Sequence, residues 1–207
     1  MLLLGFACKK ENPTPNPTPT PTPSGKDSLV EIKTSFGTMI MYLNKSTPLH
    51  KSNFLKLTQD NFFDNTTFHR CVTDFVIQGG DPLSKDTDPN NDGTGGPGYT
   101  IPKEIDATKY KHVYGAVGAA RQGDAVNPSR ASNGSQYYIC TNSAGSPHLD
   151  GAYTVFGKII SGMDVAIKIN QQPKNGNGRP NTNIVMDCNL LLKTAEQIKT
   201  DYGFTVE

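Results

Sequence analysis

The chain has 207 residues, room for one domain with appendages. Its hydrophobic content is 35% with no tryptophan, which supports one modest core rather than two. Lysine plus arginine number 20 against 19 for aspartate plus glutamate, a net charge of +1. A nucleic-acid binder gathers a basic excess into a patch or stripe, and no such run exists here, so DNA, RNA and acidic polymers are excluded as expected partners.

The first eight residues, "MLLLGFAC", carry an apolar run that ends in a small residue and a cysteine. They resemble the end of an export signal with the lipobox of bacterial lipoproteins, which implies lipidation at Cys8. The expected location is a bacterial cell envelope, periplasm-facing or at the cell surface, with the lipid as the only membrane attachment. The next run, "NPTPNPTPTPTP" at 12–23, places proline at alternate positions and can form neither helix nor sheet. At ~3.1 Å per residue it spans roughly 35–40 Å. The composition suits either a semi-rigid stalk or a docking peptide for a proline-binding module, and beside a lipid-anchored cysteine the stalk is the simpler reading. Residues 9–27 are thus expected to be a linker, 28–193 the folded domain and 194–207 a helical tail. No later stretch approaches the roughly 20 apolar residues of a spanning helix. Beyond Cys8 stand Cys71, Cys140 and Cys188, whose spacing fits no zinc site. At least two are expected to be buried thiols, with a disulfide left open.

In chain order, "LVEIKTSFGTMIMYL" predicts a β-hairpin, and "STPLHKSNFLKLTQ" a helix with Thr47 as N-cap and Pro48 at its first position. "TTFHRCV" and "FVIQGG" read as two strands joined through "TD". A long polar loop from Asp81 to Pro102 follows, a length that marks function or disorder. "GAVGAA", "SQYYICT" and "YTVFGKII" are further strands, "GMDVAIKIN" a short helix, "NIVMDCNLLL" a closing strand and "TAEQIKTDYGF" a C-terminal helix. Many short strands with few helices predict a mainly β fold, a closed or nearly closed antiparallel barrel.

The familiar catalytic patterns are missing. His50, His69, His112 and His148 are scattered, and no G-x-S-x-G elbow or phosphate-binding loop occurs. "DPNNDG" offers oxygens for calcium but lacks the closing glutamate of an EF-hand loop, so no metal or cofactor is expected. What stands out is "FHRCVTDFVIQGGD" at 68–81, a guanidinium and a side-chain amide set into strand. Together with "GTGGPGYTIPKE", "NGSQYYI" and "LDGAYTVFGKIISGMDV", in that order and spacing, it resembles the cyclophilin-type peptidyl-prolyl isomerases over residues 28–193.

That resemblance implies a closed eight-stranded antiparallel barrel capped by two α-helices, with the site on its outer face. Carried over residue by residue, the catalytic pair falls on Arg70 and Gln78. The substrate-binding positions fall on Phe75, Val76, Ala120, Gln136, Tyr138 and Leu149. The implied substrates are proline-containing polypeptides, handled by a monomer. Departures from the family pattern are Tyr138 for phenylalanine, Arg121 after Ala120, a longer loop at 122–132, His148 for tryptophan and Tyr153 for histidine. These leave substrate preference and cyclosporin binding open.

The chemistry stands without the family. Rotation about an X–Pro bond crosses ~18–20 kcal/mol of amide resonance, and no bond need be made or broken. A guanidinium that bonds the pyramidal nitrogen of the twisted amide binds the transition state better than the ground state. The plain alternatives are an Arg70 salt bridge to Asp74 or Asp81, and a solvated Gln78 before a glycine turn. His69, alternating away from Arg70, reads as a structural hydrogen-bonder. Phe75 breaks strand parity with Val76 and Gln78, which puts it at the start of the strand or in a bulge. Two rival functions remain: a barrel that holds proline segments without turnover, and a structural domain serving the stalk.

Overall fold

The computed structural model describes residues 25–207. Cys8 and the whole proline-rich run at 12–23 therefore lie outside the described residues. The predicted hairpin is β1 (Asp27–Thr34) and β2 (Gly37–Leu43), closed by the tight turn at Ser35 and Phe36. Alternation decides its inner face: Val30, Ile32, Met39 and Met41 are fully buried in the main core.

Helix α1 (Pro48–Gln59) begins where Pro48 predicts, and it delivers Phe54 and Leu57 to that core. Its N-terminus is satisfied differently from the sequence expectation. Thr47 occupies the cap position but makes no side-chain cap, its hydroxyl donating to the Asn44 carbonyl at 3.2 Å. The free amides of Leu49 and His50 instead donate to the two carboxylate oxygens of Glu104, each at 2.9 Å. A carboxylate at a helix N-terminus also meets the positive end of its dipole.

The run 66–72 is two strands and not one. β3 (Thr66–Thr67) pairs with the later strand β11 (Val185–Lys193), whereas β4 (Arg70–Val72) pairs with β5 (Val76–Gly79). Phe68 and His69 carry the chain from one sheet edge to the other, and the Phe68 amide donates to Ile184. The remaining elements are β6 (Thr100–Ile101), β7 (Ala116–Ala119), β8 (Ser132–Asn133), β9 (Tyr137–Cys140), β10 (Val155–Ser161), α2 (Met163–Asn170) and α3 (Ala195–Tyr202).

The main sheet has nine antiparallel strands in the order β3-β11-β1-β2-β10-β7-β9-β5-β4, and β6 and β8 form a separate pair. The expected closed eight-stranded barrel is therefore corrected to a nine-stranded curled sheet. Its edges β3 and β4 share no ladder. They meet end to end through two residues of chain, so continuity of the backbone takes the place of the last row of hydrogen bonds. Two helices serve the inside as expected, since Val165, Ala166 and Ile169 of α2 join the same core as α1. The third, α3, packs outside: Ile198 is fully buried against Leu29, Ile40 and Tyr42, on the opposite face of the hairpin. Its start carries a capping box made by Thr194 and Gln197.

Cys71, Cys140 and Cys188 are all free and buried, so no disulfide forms among the described residues. Burial pushes the Cys71 thiol up to about 11 and that of Cys140 to about 12, and it raises Cys188 as well. Thiolate is the reactive form. Alkylation of the native chain around pH 8 is therefore expected to spare the peptides carrying these three cysteines, and to label them on unfolding. Rapid native labelling at Cys71 or Cys140, read by mass spectrometry, would contradict this packing.

Candidate active site

The site is built on the β4–β5 hairpin. The pleat sends Cys71 and Ile77 into the main core, with 1% and 0% exposure, and turns Arg70, Val76 and Gln78 to the outer face. Arg70 and Gln78 are direct cross-strand partners. The Arg70 guanidinium donates to Gln78 Oε1 at 3.2 Å. Gln78 Nε2 donates to Gln136 Oε1 at 3.0 Å, and Gln136 Nε2 donates to the carbonyls of Gly93 and Gly95 at 3.0 and 2.8 Å. This polar chain fixes the amide orientation of both glutamines. The predicted alternative of an Arg70 salt bridge to Asp74 or Asp81 does not form. Asp81, fully buried, accepts from the amides of Leu83 and Gly95 at 2.8 and 3.0 Å.

Phe75 lies in the turn just before β5, which resolves its parity, and the left-handed backbone at Asp74 (φ 54°) swings it round. Its ring stacks on His148 at 5.3 Å between centroids. Beside it, a second apolar cluster forms on the outer face from Val76, Ala116, Tyr138, Cys140 and Val155, with Phe75, Ala120, Leu149 and Tyr153 packed against it.

Between these residues opens a cavity of about 160 Å³ lined by Arg70, Phe75, Val76, Ala120, Tyr138 and Leu149, together with Arg121 and Tyr153. Drug-sized ligand pockets run roughly 300–1,000 Å³, so this one suits a single small ring. A wider neighbouring cavity of about 520 Å³ shares Ala120 and Arg121 and takes Gln78 and Gln136 in its lining. The eight expected site residues thus divide between two adjoining cavities. Arg70 and Phe75 face the small one, and the glutamines face the larger.

Arg121 and Tyr153 belong to the small cavity and were noted from the sequence only as departures. The Arg121 guanidinium lies over the Tyr153 ring at 4.4 Å, donates to the Ala152 carbonyl at 2.9 Å and pairs with Asp124 at 2.6 Å. It is therefore held back against the wall, whereas Arg70 has no carboxylate partner among the described residues. His69 is buried at 6% exposure; neither ring nitrogen makes a well-aligned hydrogen bond among the described residues, and the Thr67 backbone is the polar group that acts on the ring. Burial lowers its pKa, so the ring is held neutral.

With this geometry in hand, comparison with known proteins decides the family. The family model described as "Cyclophilin type peptidyl-prolyl cis-trans isomerase/CLD" matches residues 29–190. The chain belongs to that family. Its activity is peptidyl-prolyl cis-trans isomerisation. A peptidyl-prolyl cis-trans isomerase of Synechococcus elongatus is 36% identical over 158 residues, covering 76% of this chain and 96% of the relative. Peptidyl-prolyl cis-trans isomerase B of Bacillus subtilis is 39% identical over 122 residues, covering 59% and 75%. The crystal structure of a Cryptosporidium parvum cyclophilin type isomerase superposes with a TM-score of 0.69 at 28% identity, covering 80% of this chain and 98% of that one. A second structure of that protein, in the presence of the dipeptide Ala-Pro, gives a TM-score of 0.68.

Proposed function

We propose that the proline ring of the substrate enters the small cavity over Phe75 and Val76, and that Arg70 carries the catalysis from its rim. The observation that supports this reading is a guanidinium without a carboxylate partner beside an apolar, ring-sized cavity. Phe75, Val76, Leu149 and Tyr138 hold the ring by apolar contact. Arg70, held by its bond to Gln78, donates to the prolyl nitrogen as that nitrogen loses conjugation and becomes an acceptor. Arginine suits the task because it stays charged and presents several donors on a rigid plane. Gln78 and Gln136, oriented by their mutual bond, are placed to bond the peptide backbone on either side of the rotating amide. A planar ground-state nitrogen is a poor acceptor, so the Arg70 bond adds little to affinity and much to rate.

The test is a protease-free isomerisation assay on a short X–Pro peptide. Phe75→Ala is expected to raise KM, because it removes apolar surface from beneath the ring. Arg70→Ala is expected to lower turnover with KM little changed. A binding module would lose affinity on Phe75→Ala and have no turnover to lose.

We further propose that the clients are exported proteins met at a bacterial envelope, with the enzyme lipid-anchored through Cys8. This rests on the "GFAC" run and the stalk composition that follows it. Mass spectrometry of the membrane fraction is expected to show an acylated N-terminal cysteine. A soluble product retaining unmodified Met1 would refute the anchor and leave the isomerase reading intact.

A further inference from the structure

His112 takes no part in the chemistry above, yet it joins two walls of the small cavity. Its Nε2 lies 2.9 Å from the Tyr138 hydroxyl, and its Nδ1 lies 2.7 Å from Asp150 Oδ1. Tyr138 walls the cavity from β9. Asp150 directly follows Leu149, which walls it from the short 3-10 helix Pro147–Leu149. The bracket is reinforced through the backbone: the His112 amide donates to the same Asp150 oxygen at 2.8 Å, and the Ser146 amide donates to the His112 carbonyl at 2.7 Å.

The Tyr138 ring is confined on its other sides. A Cβ at Gly118 would stand 2.3 Å from its Cζ and 2.4 Å from its hydroxyl oxygen, so the ring lies directly across a position that only glycine leaves open. Tyr153 meets it edge-on at 6.0 Å. We propose that His112 is a positioning residue of the proline pocket, holding Tyr138 and the Leu149 segment together through the chain Tyr138–His112–Asp150. The proposal rests on the reading of this cavity as the proline site.

The hydrogen-bond chain has a defined direction. An ionised carboxylate only accepts, so Nδ1 carries the proton toward Asp150, and Nε2 is left as the acceptor for the Tyr138 hydroxyl. Burial keeps the Tyr138 phenol well above its usual pKa, so it remains a donor. Burial also lowers His112 from 6.5, against the opposing pull of Asp150. The other groups near the bracket are His148, which lowers His112 further, Lys111, which favours the ionised Asp150, the Tyr153 ring, and Arg121 and Cys140 beside Tyr138. In acid His112 becomes a donor at both nitrogens. The Tyr138 hydroxyl must then turn to accept, and its own proton has no second partner among the described residues. The bracket is therefore made above the folded pKa of His112 and reversed below it, in a window that lies under pH 6.5.

The experiment measures kcat and KM across roughly pH 5–8. It compares the full chain with Tyr138→Phe, His112→Leu, His112→Gln and the Tyr138→Phe/His112→Leu double variant, each checked for folding. His112→Leu is expected to lose about three- to tenfold in kcat/KM, carried mostly by KM, the scale of one or two hydrogen bonds. His112→Gln should recover part of that loss, since its amide can still meet one partner. Tyr138→Phe should flatten the acidic limb of the profile, and His112→Leu should cost less in that background than alone. Nitrogen NMR of the wild-type ring should show protonation at Nδ1 at neutral pH. A folded His112→Leu or His112→Gln with unchanged KM, an acidic limb that persists in Tyr138→Phe, or a ring protonated at Nε2 would each overturn the proposal. Arg70→Ala, run in parallel, separates the two claims: if it stays active, the reading of the site has failed rather than the bracket alone.

Discussion

Replacing Arg70 with alanine is expected to cut turnover on a short X–Pro peptide by roughly 10²–10³, a transition-state loss of ~2.7–4 kcal/mol by analogy with one pre-organised donor. The geometry explains why the loss should fall on the rate. Among the described residues the Arg70 guanidinium bonds only to Gln78, at 3.2 Å, which leaves its other donors for the substrate. A planar prolyl nitrogen has its lone pair in conjugation, and it becomes a good acceptor only on twisting. KM should therefore move little while kcat falls. Stability should barely change, because the guanidinium makes no ion pair among the described residues and sits on the outer face. The variant is checked by circular dichroism and by the protease-free assay. Near-wild-type turnover from a folded Arg70→Ala protein would end the catalytic assignment.

The second large effect is structural. Phe63 is fully buried at the centre of the main core, stacked on Phe54 at 4.4 Å and edge-on to Phe62 and Tyr137 at 5.7 and 6.1 Å. Phe63→Ala is expected to cost about 3–5 kcal/mol, the transfer of a benzyl group plus the cavity it leaves. Domains of this kind are held by about 5–15 kcal/mol, so a large share of the stability would go. In urea the midpoint should fall with little change in slope. Turnover per folded molecule should hold, because Phe63 belongs to the inner cluster while Arg70, Val76 and Gln78 face outward. A cost below about 1 kcal/mol would mean the aromatic cluster repacks freely.

These two variants separate what the two faces of one sheet do. On β4 and β5 alternate residues belong to different systems: Cys71 and Ile77 hold the fold, and Arg70, Val76 and Gln78 line the outer-face cavities proposed to take the substrate. A one-residue slip of that hairpin would exchange the two sets, so the make-up of the outer-face cavities depends on the register that the core imposes.

Much of this was legible in the amino-acid sequence. The period-two pattern of 29–43, the proline opening α1 at Pro48 and the apolar run of β11 are local signals, set by backbone sterics and side-chain alternation. The four motif blocks put Arg70, Phe75, Gln78, Gln136 and Tyr138 forward together, because a site that needs several chemical groups leaves several marks in the chain. The tertiary structure alone decided the rest. Period-two alternation tells which face a side chain takes and not which strand it pairs with, so 66–72 read as one strand although its halves serve opposite sheet edges. The carboxylate capping α1 is Glu104, 55 residues from Leu49, where Thr47 was the local candidate. His112 reaches Tyr138 across 26 residues and Asp150 across 38. Such partners are chosen by how the sheet curls, and a burial pattern along the chain carries no record of which distant group fills the space beside it.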